Sequence, residues 1–227
     1  MRIIKQLTSY IPAAQIFPLF AHEKDCAFLD SSLVNQLGRY SILGLYPYLQ
    51  LKKTKDAFTV NGKPEVHQSF EEYLDAYLEA HREENTTDLP LVSGAIGYFS
   101  YDYIKYSEPK LDLSADGEDE FNDMDLMLFD QVIAFDNFKQ KIYLIAGVYT
   151  EDIESSYKDA EKKIKEMEQV IRYGDKKIFQ PLELHTEIKP QFNIDEYADM
   201  VKRAKHYIYE GDIFQVVLSN PLRAKAT

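Results

Sequence analysis

Two apolar runs joined by a short polar turn constrain the fold of this chain more than any other feature. The runs lie in LMLFDQVIAFDNFKQKIYLIAGV, residues 126–148, and flank DNFKQ, a pattern typical of a β-hairpin. Asn61-Gly62, in AFTVNGKPEV, predicts a second hairpin with a type I′ turn, because both residues tolerate a positive φ. The sequence therefore predicts antiparallel pairing between neighbouring strands.

Further strand patterns precede and follow these hairpins. CAFLDSS and RYSILGLYPYLQLKK, residues 26–32 and 39–53, are short apolar runs punctuated by Gly and Pro. LVSGAIGYFSYDYIKYSEP, residues 91–109, predicts a buried strand that opens into a helix or turn near Asp102. KLDLSADGEDEFNDMD, residues 110–125, is acidic and predicts an exposed loop.

Three segments have the periodicity and capping residues of helices. The first starts at Ser69, with Glu72 completing a capping box, and its apolar stripe is Phe70, Tyr73, Leu74, Tyr77 and Leu78. The second is predicted to be capped by Thr150 and to end at Gly174, with an inner face of Ile153, Tyr157, Ile164, Met167 and Ile171. The third runs from a cap at Asn193, with Glu196 in the box, to Gly211, and its apolar face is Tyr197, Val201, Ala204 and Ile208.

Strands grouped in hairpins, with helices laid on them, predict an α+β fold of antiparallel sheets. Residues 1–180 are predicted to form an N-terminal regulatory or structural domain, and residues 181–192 a linker. Residues 193–227 are expected to supply a helix and then a buried strand, IFQVVLSN.

Charge and composition exclude several classes of function. A net charge of −12 disfavours nucleic-acid binding, which needs clustered Lys and Arg. No segment approaches the roughly 20 apolar residues of a membrane span, and residues 1–20 lack a sustained apolar stretch typical of a signal peptide. Cys26 is the only cysteine, which fits a reducing compartment, so we expect a cytoplasmic protein.

Most candidate chemical motifs have a simpler structural explanation. The glycines of GAIGYFS fit no phosphate-binding fingerprint and suit close packing. No metal site is predicted, because the histidines contain no i, i+4 pair: His22, His67, His81, His185 and His206. No Ser or Cys has the setting of a nucleophile. Composition and spacing alone therefore indicate an α+β domain without an assigned reaction.

The segment FLDSSLVNQLGRYSILG, residues 28–44, is the exception. Short polar side chains beside an arginine and a tyrosine suit a small zwitterionic ligand, with candidate contacts at Asp30, Ser31, Arg39, Tyr40 and Ser41. The alternative is a polar turn in which Arg39 forms a salt bridge with Asp30.

Four segments in this order give the chain a resemblance to anthranilate synthase component I and to the closely similar aminodeoxychorismate synthase component I. They are LDSSLVNQLGRYSILG, SGAIGYFSYDYIKYSE, LMLFDQVIAFDNFKQKIYLI and AKHYIYEGDIFQVVLSN, which together extend over nearly the whole chain. The resemblance implies the N-terminal domain of that family, followed by only the opening helix and strand of its chorismate-binding domain. The end at Thr227 is interpreted as an interruption of a longer protein. The strand IFQVVLSN is then without its neighbours and is expected to be disordered, to pair with another chain or to join the edge of the N-terminal sheet.

The resemblance also implies a reaction for the complete enzyme. Ammonia from a glutaminase subunit attacks C2 of chorismate and displaces the 4-hydroxyl, and anthranilate synthase then eliminates pyruvate. Mg²⁺ assists departure of the hydroxyl. The Mg²⁺ carboxylates and the acid/base histidine are implied to lie beyond Thr227, so the chain alone is expected to be inactive, with no metal site. The alternative product, 4-amino-4-deoxychorismate, belongs to folate biosynthesis.

The resemblance transfers two sets of functional residues to this sequence. Feedback tryptophan is implied at Asp30, Ser31, Arg39, Tyr40 and Ser41, where Asp30 is one methylene shorter than the usual glutamate and is expected to reach the ammonium less well. Gln215 occupies the position at which related isochorismate synthases carry a water-activating lysine. Because glutamine cannot take a proton from water, ammonia is favoured as the nucleophile. A third interpretation is a stand-alone amino-acid-binding regulatory module.

Overall fold

Apolar strands and capped helices build two compact units, residues 1–177 and 178–227. The structure, a computed structural model, describes residues 1–22, 25–31, 38–54, 57–108, 110 and 121–227. The segment 110–125, predicted as an exposed loop, lies mostly outside the described residues. No helix in the described part of the chain is long and apolar enough to cross a membrane.

The first unit contains two antiparallel sheets whose strands follow the alternating runs of the sequence. In chain order these strands are β1 (Arg2–Gln6), β2 (Cys26–Leu29), β3 (Tyr40–Leu45), β4 (Leu49–Lys53), β5 (Phe58–Val60), β6 (Lys63–Pro64), β7 (Gly94–Phe99), β8 (Met124–Phe129), β9 (Gln131–Asp136) and β10 (Lys141–Gly147). Sheet A has the order β1-β10-β9-β3-β2, and sheet B has the order β6-β5-β4-β8-β7. These antiparallel sheets confirm the predicted fold class.

A continuous two-stranded ribbon connects the two sheets. β3 pairs with β9 in sheet A, and their continuations β4 and β8 pair in sheet B. The ribbon changes sheet at Tyr46–Tyr48 on one side and at Asp130 on the other. The apolar run predicted as one strand before DNFKQ is therefore divided at Asp130 into β8 and β9.

Among the described residues of this unit, a 3-10 helix (Tyr101–Tyr106) follows β7, as predicted near Asp102, and three α-helices cover the outer faces of the sheets. The α-helices are α1 (Ala13–Phe20), α2 (Phe70–Ala80) and α3 (Ile153–Tyr173). The first core lies between sheet A and α1 and α3, and the third lies between sheet B and α2. The second core contains Ile42 and Val132 of sheet A together with Ile96 and Phe129 of sheet B, so it lies between the sheets. The strands' alternation explains how each sheet contributes to two cores.

Local turn and capping chemistry agrees with several sequence predictions. Asn61 and Gly62 connect β5 to β6 with φ of 49° and 75°, as a type I′ turn requires. The Ser69 hydroxyl oxygen accepts from the Glu72 N–H, and the Glu72 carboxylate accepts from the Ser69 N–H, which confirms the capping box. Each signal was found correctly because it is encoded within four residues.

Other local predictions were wrong, chiefly about which side chains are buried. α3 is capped by Asp152 and not by Thr150, since the Asp152 carboxylate accepts from the Ser155 N–H. Ile153 and Tyr157 are exposed at the start of α3, and Leu78 is exposed on α2. Strand β7 was predicted as buried, but it is the edge of sheet B and only its Ile96 is buried.

The second unit contains one long helix and a short strand pair. They are α4 (Ile194–Glu210), β11 (Lys189–Pro190) and β12 (Leu222–Arg223). Asn193 and Glu196 form the predicted capping box, and Gly211 ends α4 in the left-handed conformation with φ of 84°. Residues 181–192, predicted as a linker, thus include β11, which pairs with β12.

Residues 213–220, predicted as a buried strand, form neither a helix nor a strand. Phe214 is fully exposed and Val217 is 82% exposed. The predicted strand is therefore wrong for this structure, since residues 178–227 supply no layer that could bury these apolar side chains.

Candidate functional site

The buried hydroxyl of Ser41 connects two of the predicted effector residues, Asp30 and Ser31, to Asn137 after β9. Ser41 on β3 has no exposed surface. Its Oγ donates to Asp30 Oδ1 at 2.7 Å and accepts from Asn137 Nδ2 at 2.9 Å and from the Ser31 N–H at 3.2 Å. Ser31 Oγ in turn donates to the Tyr40 carbonyl at 2.7 Å. One hydroxyl thus fixes the carboxylate of Asp30 at the end of β2.

Tyr10 extends this hydrogen-bond network to the segment before α1. Its hydroxyl donates to Asn137 Oδ1 at 3.0 Å, so Asn137 connects Tyr10 to Ser41. Burial raises the pKa of Tyr10, and the nearby negative charges of Asp30 and Asp136 raise it further. Tyr10 therefore stays a neutral donor across the physiological range.

Arg39 forms a separate ion pair with Asp136 at the end of β9. Arg39 Nη2 lies 2.5 Å from Asp136 Oδ2, and Nε lies 3.1 Å from both carboxylate oxygens. The Lys139 N–H also donates to Asp136 Oδ1, at 2.8 Å. Asp136 is only 2% exposed. The alternative in which Arg39 pairs with Asp30 is wrong, because Asp136 takes its guanidinium.

The pKa of Asp136 reflects opposing effects of burial and hydrogen bonding. Burial disfavours the charged carboxylate, but the hydrogen bonds from Arg39 and from the Lys139 N–H favour it more strongly, so the pKa lies below its ordinary value. Arg39 also lies over the ring of Tyr40, with its guanidinium carbon 4.7 Å from the ring centre. The pair is therefore charged at neutral pH and held in one geometry.

The five predicted effector residues divide between the two faces of sheet A. Ser41 lies on the same face of β3 as Leu43, the helix-covered face, and Asp30 and Ser31 contact it there. Tyr40 lies on the same face as Ile42, opposite to that of Ser41, and packs against the second core. Tyr40 also lies opposite Asp136 in the strand register. Asp30, Ser31 and Ser41 thus form one cluster, and Arg39 and Tyr40 belong to another.

Sequence reasoning missed the partners that complete these clusters. Asp136, Asn137 and Lys139 belong to the DNFKQ turn, which was interpreted only as the connection of a hairpin. The available signal was the pair of short polar residues at the end of a buried strand. Because β9 lies beside β3, that turn reaches the start of the RYS segment.

Gln215 lies apart from both clusters in the sequence and in the second unit. It is exposed and belongs to no helix or strand. Within the described residues, no group of three or more His, Cys, Asp or Glu side chains could hold a metal ion. The residues that the structure describes therefore do not fit a Mg²⁺ site, and no catalytic step through magnesium is assigned to them.

Comparison with known protein families gives a match along most of the chain. Residues 26–227 match the family described as chorismate binding enzyme. The matched region includes both clusters on sheet A and all of residues 178–227.

Curated relatives carry two different names. The chain is 31% identical over 217 residues to anthranilate synthase component 1 of Acetivibrio thermocellus, covering 88% of this chain and 43% of that protein. It is 31% identical over 194 residues to aminodeoxychorismate synthase component 1 of Bacillus subtilis, covering 80% of this chain and 39% of that protein. The chain thus spans less than half the length of these relatives.

A solved structure shows the same fold. The crystal structure of anthranilate synthase component I from Streptococcus pneumoniae matches with a TM-score of 0.69 and 27% sequence identity. The match covers 86% of this chain and 44% of that protein.

Proposed function

Because this chain belongs to the family of chorismate binding enzymes, we propose that it is the N-terminal part of a chorismate-using, ammonia-dependent synthase. The observation that carries the proposal is the match along residues 26–227, joined to relatives that are themselves named as synthases. Anthranilate synthase component I is favoured, with chorismate converted to anthranilate and pyruvate. Aminodeoxychorismate synthase component I is the alternative.

The complete enzyme would need groups and partners besides this chain. We propose chorismate as its substrate, a glutaminase subunit as its source of ammonia and Mg²⁺ as its cofactor, in the cytoplasm. The resemblance supports each of these, and magnesium would supply electrophilic assistance to loss of the hydroxyl. Gln215 is the proposed nucleophile-selecting residue, since an amide does not act as a base toward water at neutral pH.

The Asp30–Ser31–Ser41 cluster is proposed as the effector-binding part of the chain, with L-tryptophan as a candidate ligand. Asp30 Oδ1 is occupied by the Ser41 hydroxyl, and Oδ2 has no hydrogen-bond partner among the described residues. An ammonium group could therefore bind the second oxygen without breaking the bond to Ser41. This cluster also supports the second candidate function, a stand-alone amino-acid-binding regulatory module.

The chain alone is expected to show no synthase activity. Chorismate, Mg²⁺ and ammonium should give neither anthranilate nor aminodeoxychorismate above background, because the residues that the structure describes include no suitable metal cluster. The assay is product fluorescence and chromatography, with the complete Bacillus subtilis relative as the positive control. Turnover that follows the purified chain would contradict this prediction.

Binding of L-tryptophan tests the regulatory proposal separately. The chain has no tryptophan of its own, so ligand fluorescence can be excited where tyrosine does not absorb and followed together with calorimetry. Asp30→Asn is expected to weaken binding about tenfold, since it removes the charge that faces the ammonium. Asp25→Asn changes an exposed acid at the opposite end of β2 and should have no effect. Unchanged affinity in Asp30→Asn, or no heat at millimolar ligand, would contradict a self-contained effector site.

A further inference from the structure

A cavity of about 300 Å³ lies in the 1–177 unit, where the two-stranded ribbon passes from sheet A to sheet B. Both crossing points contribute to its lining, Tyr48 on one side and Asp130 on the other. The end of α2 and the residues that follow β10 supply further walls. The five predicted effector residues are all described by the structure and do not line this cavity, so it is separate from the site proposed near the start of β3.

The two carboxylates among the described residues of the lining are both neutralised within this unit. Asp130 is 6% exposed, and its Oδ2 accepts from the Tyr149 hydroxyl at 2.8 Å and from Lys163 Nζ at 3.0 Å. Glu83 Oε1 accepts from the amino terminus, and its Oε2 lies 2.9 Å from Arg2 Nη2. The hydrogen bond from the amino terminus and the charge of Arg2 hold the pKa of Glu83 below its ordinary value, so Glu83 is ionised and paired.

Arg82 gives the lining a positive charge without a partner. It lies two residues after the end of α2, is exposed, and forms no ion pair or hydrogen bond with any described residue. Each acid of the described lining thus has a cation, but Arg82 has no acid. In a chain with a net charge of −12, a cavity with excess positive charge favours an anionic ligand.

Two hydroxyl groups of the lining each have a proton for such an anion. The Tyr48 hydroxyl accepts from the Tyr77 hydroxyl at 3.1 Å, and Ser93 Oγ accepts from Arg2 Nη2 at 2.7 Å. Neither hydroxyl donates to a described residue, so each can donate to a ligand. Burial raises the pKa of Tyr48, and its hydrogen bond with Tyr77 raises it further, so Tyr48 remains a neutral donor.

The segment that carries Arg82 is held in place before any ligand binds. On one side of it, His81 Nδ1 donates to the Tyr77 carbonyl at 2.8 Å, and the two rings stack with their centroids 4.0 Å apart. On the other side, the ion pair of Glu83 with Arg2 connects the segment to β1. The backbone of Arg82 is therefore fixed between two anchored residues, and a ligand would lose little affinity to ordering this wall.

We propose that this cavity binds a small carboxylic acid with a single ring, as a monoanion, where the ribbon changes sheet. The ligand's carboxylate pairs with the planar guanidinium of Arg82 through two parallel hydrogen bonds and accepts from the Tyr48 hydroxyl. Its ring packs against Tyr149 and Val148, which also line the cavity. An amine would bring its charge to Arg82 and find no unpaired acid, and a dianion would bring a second charge toward Asp130. Both are therefore selected against.

Three ring compounds that differ in charge test this proposal on the full chain. The probes are 4-fluorobenzoate, 4-fluorobenzamide and 4-fluorobenzylamine, and their binding is followed by fluorine NMR of the ligand, which detects weak complexes. Saturable binding is expected for 4-fluorobenzoate, with the amide and the amine each about tenfold weaker, because neither pairs with Arg82. Equal affinity for 4-fluorobenzoate and 4-fluorobenzamide would contradict recognition of the negative charge.

Variants at the two proposed contacts complete the test. Arg82→Gln should lower affinity for 4-fluorobenzoate about tenfold, and Tyr48→Phe about fivefold. Arg203→Gln on α4 and Tyr173→Phe at the end of α3 change exposed side chains of the same types and should leave the affinity unchanged. Circular dichroism establishes that each variant is folded. Absence of saturable 4-fluorobenzoate binding, or binding that either Arg82→Gln or Tyr48→Phe leaves intact, would overturn the site. Neither result bears on the synthase assignment.

Discussion

Arg39→Gln is expected to destabilise the 1–177 unit more than Asp136→Asn does, although the two changes break the same ion pair. Loss of Arg39 leaves the carboxylate of Asp136 only 2% exposed and without its ion-pair partner, a state that costs about 3 kcal/mol. Loss of Asp136 leaves Arg39, whose side chain is 28% exposed and can be solvated. The cost of Asp136→Asn should therefore be smaller, about 2 kcal/mol.

Urea unfolding followed by circular dichroism measures both variants. Lys141→Gln, a neighbouring cation without an ion pair among the described residues, is the matched control and should change stability little. If Arg39→Gln lowers the free energy of unfolding by no more than Asp136→Asn does, burial of the unpaired Asp136 carboxylate is not the main cost of breaking this ion pair.

The same measurement as a function of pH gives the sign of the Asp136 contribution. The pKa of Asp136 is lower in the folded chain than its ordinary value of 3.8, since Arg39 favours the ionised form. Its stabilisation is therefore fully present above pH 3.8 and is lost as the pH falls through the lower folded value. The stability difference between the native chain and Asp136→Asn should accordingly shrink on acidification below about pH 4.

Gly97→Ala is expected to lower the free energy of unfolding by about 3 kcal/mol, near the upper end of the range for overpacking, because it disrupts the pairing of β7 with β8 in sheet B. A Cβ atom at Gly97 would lie 1.9 Å from the backbone oxygen of Asp125 and 2.9 Å from the Leu126 Cα. Both contacts are with backbone atoms of β8, so no side-chain rotation can relieve them. β7 must shift away from β8, which breaks the pairing at the edge of the sheet.

Gly62→Ala provides the control for losing a glycine without a steric contact. Gly62 has φ of 75° and no atom within 4 Å of an added Cβ. Its replacement should cost about 1 kcal/mol from backbone strain alone. Thermal unfolding of the two variants compares them directly, and equal losses would show that the contact between β7 and β8 relaxes freely.

The elements that sequence predicted best are those defined by local chemistry. The Asn61-Gly62 turn, the capping boxes at Ser69 and Asn193 and the left-handed Gly211 all occur as expected, because each depends on a few adjacent residues. Hairpins and capped helices in that order were sufficient to establish an α+β fold. The four segments that resemble the family also predicted membership in the chorismate binding enzymes, which the family match confirms.

Burial was less well predicted, because it depends on neighbours that are distant in sequence. The apolar residues of β7 and of 213–220 suggested buried strands. β7 became an edge, and residues 213–220 have no sheet within their own unit to cover them. An apolar side chain favours burial, but whether it is buried depends on the sheets and helices that pack around it.

By itself, then, the sequence determined the hairpin turns, the capping boxes of α2 and α4, the fold class and the family, since these follow from patterns along the chain. Only the tertiary structure decided how the candidate site divides. The alternation of β3 places Ser41 and Tyr40 on opposite faces of one sheet. Pairing with β9 brings Asn137 to Ser41 and Asp136 to Arg39, each almost one hundred residues away along the chain. Five residues close together in the sequence thus belong to two separate clusters, because successive side chains of a strand point to opposite faces of the sheet.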